Sequence, residues 1–140
     1  MKIYFAGSIR GGREDQAHYH AILALLREHG EVLTEHVAEA SLSDKGEDGP
    51  SDRYIHDRDM AWLGEAQAIV AEVTTPSLGV GYEIGRAVEA GKPILCLFRE
   101  DGGRVLSAMI AGCPQIQVVR YTDASTLREP LRAFLQVLAQ

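Results

Sequence analysis

Cysteine is nearly missing from this chain: Cys96 and Cys113 are two residues in 140, with neither C-x-x-C spacing nor a matched histidine pair. A disulfide scaffold and a cysteine zinc site are excluded, and both thiols are read as buried and reduced. Long apolar runs are missing too. Nothing approaches the ~20 residues that span a bilayer, and Ile3 to Gly7 is too brief for a signal-peptide core, so an intracellular protein, cytoplasmic or nuclear and not secreted, is expected. Basic charge is scarce. Fourteen Lys and Arg stand against twenty Asp and Glu, a net charge of -6, which argues against a footprint on the backbone of DNA or RNA. Neither a nucleic-acid polymer nor a membrane is expected as a partner. What is abundant is ordinary core material: with 46% hydrophobic and 24% charged residues, residues 1–140 read as a single domain.

Periodicity divides the chain into alternating strands and helices. Lys2 to Gly7 is β-rich and ends in a loop, Gly7-Ser8-Ile9-Arg10-Gly11-Gly12, before a helix with Tyr19, Ile22, Leu23 and Leu26 on one face and Gly30 as its C-cap. Glu31 to Val37 returns to strand, and the polar stretch Ser41 to Asp52 reads as a mobile surface loop. A second helix starts at Pro50-Ser51-Asp52 and runs to about Gly64, followed by a buried strand, Gln67 to Val73. A third helix, Ser77 to Ala90, stops at Gly91-Lys92-Pro93 before the strand Ile94 to Phe98. Gly103 to Gly112 reads as a short helix, Gln115 to Tyr121 as the last strand, and Leu127, Leu131, Phe134, Leu135 and Leu138 mark a closing amphipathic helix. Five strands joined by helical crossovers require a parallel sheet, so the expected fold is a doubly wound α/β domain with helices on both faces, flavodoxin-like order 2-1-3-4-5. Its ligands belong beyond the carboxyl ends of the strands, at the switch point beside the first strand.

The unusual residues fall at that edge. The loop from Gly7 to Gly12, with Ser8 and Arg10, leads into a helix N-terminus, a combination suited to an anion such as a phosphate. It is neither a Walker A sequence nor G-x-G-x-x-G, and a plain strand-to-helix turn reads the same way. After the third strand, Gly79, Gly81 and Gly85 each weaken a helix by about 0.5 to 1 kcal/mol, which implies that something approaches the backbone closely. Glu83 lies in the first turns of that helix, where the dipole favours the ionised carboxylate that a nucleophile at a sugar carbon must be. A solvated glutamate complementing the dipole would look the same. Asp59 is sharper: Ile55, Asp59, Trp62 and Leu63 share one helical face, which sets a carboxylate in an apolar stripe. Two carboxylates near one sheet edge are what glycosyl transfer uses. Tyr4 either packs or reaches a carboxylate at the adjacent strand end, and His36 reads as an edge histidine. His18 and His20 face different sides of a helix, so neither metal nor cofactor is expected.

Three stretches in order, Tyr4 to Gly12 (YFAGSIRGG), Ala71 to Glu83 (AEVTTPSLGVGYE) and Arg104 to Ile110 (RVLSAMI), resemble the nucleoside 2-deoxyribosyltransferase family, in its N-glycosidase branch acting on 2'-deoxynucleoside 5'-monophosphates. The resemblance covers Lys2 to about Tyr121. It implies that Glu83 attacks C1' of the deoxyribose, that Asp59 contacts the sugar and assists the leaving base or the water, and that Tyr4 orients sugar and nucleophile. It further implies a 5'-phosphate cradle of Ser8, Ile9 and Arg10, within the loop Gly7 to Gly11, together with Ser77 and Gly79. His36 would line the nucleobase side, and Ser107 would reach the phosphate of a neighbouring subunit, hence a homodimer. The expected reaction is hydrolysis to free base and 2-deoxyribose 5-phosphate through a glycosyl ester on Glu83. Two other readings are a base-exchanging transferase, which gives Arg10 no clear purpose, and a non-catalytic nucleotide-binding module, which leaves Asp59 and Glu83 unexplained. The preferred base, purine, pyrimidine or modified pyrimidine, is left open.

Overall fold

Strict alternation of side chains builds the sheet. In the computed structural model, which describes residues 1–8, 13–34, 49–100 and 102–140, the strands are β1 (Lys2–Gly7), β2 (Glu31–Val32), β3 (Ala68–Glu72), β4 (Ile94–Arg99) and β5 (Ile116–Tyr121). They pair in parallel in the order β2-β1-β3-β4-β5, the order expected from the sequence. Every residue of β3 and β4 is buried, as a central parallel strand covered on both faces requires. Ile3, Phe5, Ala68, Val70, Leu95 and Leu97 face α1 (Arg13–Arg27) and α5 (Arg128–Leu138). Tyr4, Ala6, Ile69, Ala71, Ile94 and Cys96, one residue out of phase, face α2 (Asp52–Glu65) and α3 (Leu78–Glu89). Truncating a fully buried member such as Leu97 or Ile69 to Ala is worth about 2–5 kcal/mol.

The helix stripes behave as expected. Tyr19, Ile22, Leu23 and Leu26 are buried along α1, and Leu131, Phe134 and Leu135 along α5. Ser51 and Ser77 cap α2 and α3, their hydroxyls accepting from the N–H of Tyr54 and Val80. Gly91 follows α3 with φ of +69°, the left-handed geometry that ends a helix on glycine. Three boundaries differ. β2 stops at Val32 because the Thr34 hydroxyl occupies the next rung, accepting from Phe5 N at 3.0 Å and donating to Phe5 O at 2.8 Å. Residues 35–37 of the expected strand and 41–48 of the expected loop lie outside the described residues. Gly30 stands three positions beyond α1 and is no cap; a Cβ there would lie 2.2 Å from the Met1 carbonyl. The helix expected over Gly103 to Gly112 shrinks to α4 (Ala108–Ala111), since Gly103 takes φ of +71° and Ser107 caps the turn. No helix among the described residues is long and apolar enough to cross a membrane.

Gly7 pairs with Glu72 where β1 and β3 end side by side. From there the chain leaves β1 for α1 on one face and β3 for α3 on the other, which opens the switch-point crevice.

Candidate active site

Parity in β1 decides where the site forms. Tyr4 points to the α2–α3 side, 1% exposed, and its hydroxyl donates to Oε2 of Glu83, on the second turn of α3. Asp59, on α2, lies near enough for its charge to act on both groups. The two helices are clasped by His56 of α2, whose Nε2 lies 2.9 Å from the hydroxyl of Tyr82, the residue beside Glu83. Three sequence candidates from three elements thus converge.

Their electrostatics depart from expectation at one point. The helix dipole does not settle the charge of Glu83: burial pushes its carboxyl up to about 7, and the nearby charge of Asp59 adds to the rise, against the lowering effect of the Tyr4 hydrogen bond. Desolvation overrides a half-charge that weakens beyond the first turn. Burial first, and Glu83 second, raise the Tyr4 hydroxyl far above its ordinary value, so it stays protonated and acts as a donor. Asp59 is 20% exposed at its side chain, and of its expected stripe only Leu63 is fully buried, Ile55 and Trp62 being half-buried.

Asp59 is paired, by a residue that sequence reasoning passed over. Arg58 donates from Nε and Nη2 to Asp59 Oδ1, both at 3.0 Å, with its guanidinium 4.8 Å from the ring centre of Trp62 and 5.8 Å from that of Tyr54. Adjacent residues on a helix do not ordinarily face each other, so this side chain folds back across the aromatic surface. The signal was an arginine beside an anomalous aspartate, flanked by aromatics at i-4 and i+4.

Around the crevice the candidates divide. Ile9, Arg10, Gly11 and His36 lie outside the described residues. Gly7 is required by packing, since a Cβ would meet Tyr19 Cε1 at 2.5 Å, and the Tyr19 hydroxyl donates to the carbonyl of Ser8. Gly81 and Gly85 have nothing within 4 Å of an added Cβ, and Gly79 only the Ser77 hydroxyl at 3.9 Å. Among the described residues no side chain packs against Gly81 or Gly85. Ser77 and Ser107 share a cavity of about 410 Å³ with Thr75, Gly81 and Ile84, whereas Tyr4 and Glu83 are not part of its walls.

A second polar cluster, unnoticed in the sequence, lies at the ends of β3, β4 and β5 beside the first turn of α1. Glu72, 2% exposed, accepts from Thr74 N at 2.7 Å, from the Thr74 hydroxyl at 3.0 Å and from the Tyr121 hydroxyl; Arg99 pairs with Asp15, both 6% exposed. Its members are scattered single charges in otherwise apolar or helical segments, and nothing local links them. Cys96 is buried and its thiol pushed up to about 12, in keeping with an inert reduced cysteine, whereas Cys113, also expected to be buried, is half-buried in the turn before β5. Among the described residues no cluster of His, Cys, Asp and Glu could hold a metal ion.

Over residues 3–118 the sequence matches the model of one family, nucleoside 2-deoxyribosyltransferase. The chain belongs to the nucleoside 2-deoxyribosyltransferase family. Among curated relatives it is 66% identical over 111 residues to 5-hydroxymethyl-dUMP N-hydrolase of Mus musculus, a match covering 79% of this chain and 64% of that protein. It is 60% identical over 126 residues to the protein of the same name from Danio rerio, 88% of each chain being covered. The chain thus spans just under two thirds of the mouse relative's length and most of the zebrafish one's. Among solved structures, a 2-deoxyribosyltransferase from Bacillus psychrosaccharolyticus aligns with a TM-score of 0.68 at 17% identity, over 96% of both chains, a likeness of fold. The family and the doubly wound sheet read from the sequence both hold.

Proposed function

We propose that this family member hydrolyses the N-glycosidic bond of 2'-deoxynucleoside 5'-monophosphates, releasing the free base and 2-deoxyribose 5-phosphate. The observation that carries the reading is the Tyr4 hydroxyl fixed on Glu83, with Asp59 alongside, at the carboxyl edge of the sheet. In the ionised state a Glu83 oxygen attacks C1', the bond to the base nitrogen breaks with its electron pair going to the base, and a deoxyribosyl ester forms. Tyr4 keeps its proton and holds the second carboxylate oxygen, orienting the attack. Asp59 contacts the sugar and assists departure of the base, then arrival of the water that opens the ester. Ser8, Ile9, Arg10, Ser77 and Gly79 hold the 5'-phosphate, and His36 lines the base. The names of the mouse and zebrafish relatives support a monophosphate of a modified deoxyuridine, 5-hydroxymethyl-dUMP, as the substrate to test first.

The active unit is a homodimer in which Ser107 completes the neighbour's phosphate site. Supporting this, Ser107 lies among Leu78, Val105 and Met109, which are 96%, 91% and 81% exposed in the single chain, an apolar surface suited to a second copy.

Incubation with a panel of deoxynucleoside and ribonucleoside monophosphates tests the reaction by release of free base. Hydrolysis without base exchange, and a sugar-phosphate adduct on Glu83 in quenched enzyme, are expected. Exchange of one base for another on an unphosphorylated nucleoside would favour the transferase activity. For the dimer, Glu83→Ala protein mixed with a bulky Ser107 variant recovers about a quarter of wild-type sites once subunits exchange. No recovery after confirmed exchange refutes the shared site.

A further inference from the structure

A relay of hydrogen bonds runs from the interior of the sheet to its surface between the loop after β3 and the first turn of α1. Arg99, at the end of β4, donates from Nη2 to Oδ1 of Asp15. The hydroxyl of Thr75 donates to Oδ2 of the same carboxylate at 2.9 Å and accepts from Nη1 of Arg104 at 2.8 Å; that nitrogen also reaches the Thr74 carbonyl at 3.3 Å. Chemistry fixes the direction. A hydroxyl has one proton and an ionised carboxylate has none to give, so Thr75 donates to Asp15 and turns its lone pairs to Arg104.

The charges do not close at the outer end. Asp15 is matched by Arg99 in buried contact, whereas the partners of Arg104 are neutral oxygens, and among the described residues no carboxylate pairs with it. Arg104 is exposed, yet one of its nitrogens is anchored by two bonds. An oriented positive charge therefore stands where the segment leading to Ser77 meets the start of α1.

We propose that Arg104 is a phosphate-binding residue for the monophosphate substrate, with Thr75 and Asp15 as its positioning residues. This rests on the monophosphate reading above. A phosphate monoester carries about 1.5 to 2 negative charges at neutral pH. One arginine, such as the Arg10 expected from the sequence, offsets only part of that, in a chain of net charge -6 whose crevice also holds Glu83 and Asp59. A second guanidinium balances the dianion and gives the phosphate a planar, charge-assisted contact. It also makes the phosphate a criterion of selection, since a nucleoside leaves the Arg104 guanidinium without an anionic partner.

The test pairs calorimetric titration of the full chain with 2-deoxyribose 5-phosphate and with an unphosphorylated deoxynucleoside against steady-state kinetics on the monophosphate. Arg104→Ala should weaken sugar-phosphate binding and raise KM by about tenfold or more, with kcat within about threefold and nucleoside binding unchanged. Arg104→Lys should recover part of the loss, and Thr75→Val should show the same phosphate-selective pattern at smaller amplitude. Unchanged sugar-phosphate affinity in Arg104→Ala, or equal losses for phosphorylated and unphosphorylated ligands, overturns the proposal. A wild-type protein indifferent to the phosphate overturns the monophosphate reading itself, and is recognised before any variant is made.

Discussion

Two polar clusters sit at the carboxyl edge of one sheet, and they are built on opposite plans. On the α2–α3 side, burial pushes the Glu83 carboxyl up to about 7; its one neutral donor, the Tyr4 hydroxyl, offsets only part of that rise, and the like charge of Asp59 adds to it. At the ends of β3 and β4, the Asp15 carboxylate meets a guanidinium in full contact, and Glu72 takes bonds from a backbone N–H and two hydroxyls. Among the described residues every buried side-chain polar atom has a partner. Asp15 and Glu72 have both carboxylate oxygens taken up by donors, whereas Glu83 meets the single Tyr4 hydroxyl in a desolvated place, the condition in which a carboxylate is suited to chemistry.

Removing the proposed nucleophile is expected to have the largest effect. Glu83→Gln keeps the shape and should lower base release by about a thousandfold or more while nucleotide binding persists, read by chromatography of free base and by calorimetry. Activity near wild type would erase the contrast between the clusters. The opposite plan predicts the next effect: Arg99→Met leaves Asp15 buried without its cation and should cost about 3–5 kcal/mol of stability in urea unfolding. A loss under ~1 kcal/mol would mean that solvent reaches the pair.

The third expectation turns the comparison into a stability difference that depends on pH. Glu83 is held near 7 in the fold against an ordinary 4.5, so the native state keeps a proton that the unfolded chain gives up between those values. Its contribution is complete below about 4.5 and is lost as pH rises through about 7. Glu83→Gln escapes that loss and should be the more stable protein at pH 8, by up to about 3 kcal/mol, with no difference at pH 4. A pH-independent difference would place the cause elsewhere. The smallest effect is a shift of the acid limb of kcat/KM, expected near 7. Tyr4→Phe removes a bond that lowers the Glu83 value and should move the limb up; Asp59→Asn removes a charge that raises it and should move the limb down, each by about one unit or less. Shifts of the same sign in both variants would contradict the arrangement.

Much of the fold was legible because its rules are local. Leu95 and Leu97 against Ile94 and Cys96 announce a strand buried on both faces, and the stripe from Tyr19 to Leu26 announces α1. Boundaries failed where a distant partner intervened, as when Thr34 took over the rung beside Phe5 or Met1 closed on Gly30. The candidate site was legible as residue types, which the fold brings together: Glu83 in its glycine-rich helix start, Asp59 against an apolar face, Tyr4 in the first strand. Arg58, Arg104 and the Asp15–Arg99 pair were not, because an exposed arginine and a buried, matched one look alike in a sequence.

The sequence by itself determined the five-strand alternation, the sheet order and the family, since periods of 2 and about 3.6 residues and short motifs act over one element at a time. Only the tertiary structure decided which groups meet: Tyr4 with Glu83 across 79 positions, Arg99 with Asp15 across 84. It alone set the proton affinity of Glu83 as well, because desolvation is imposed by everything packed around a group and by nothing in the residues beside it.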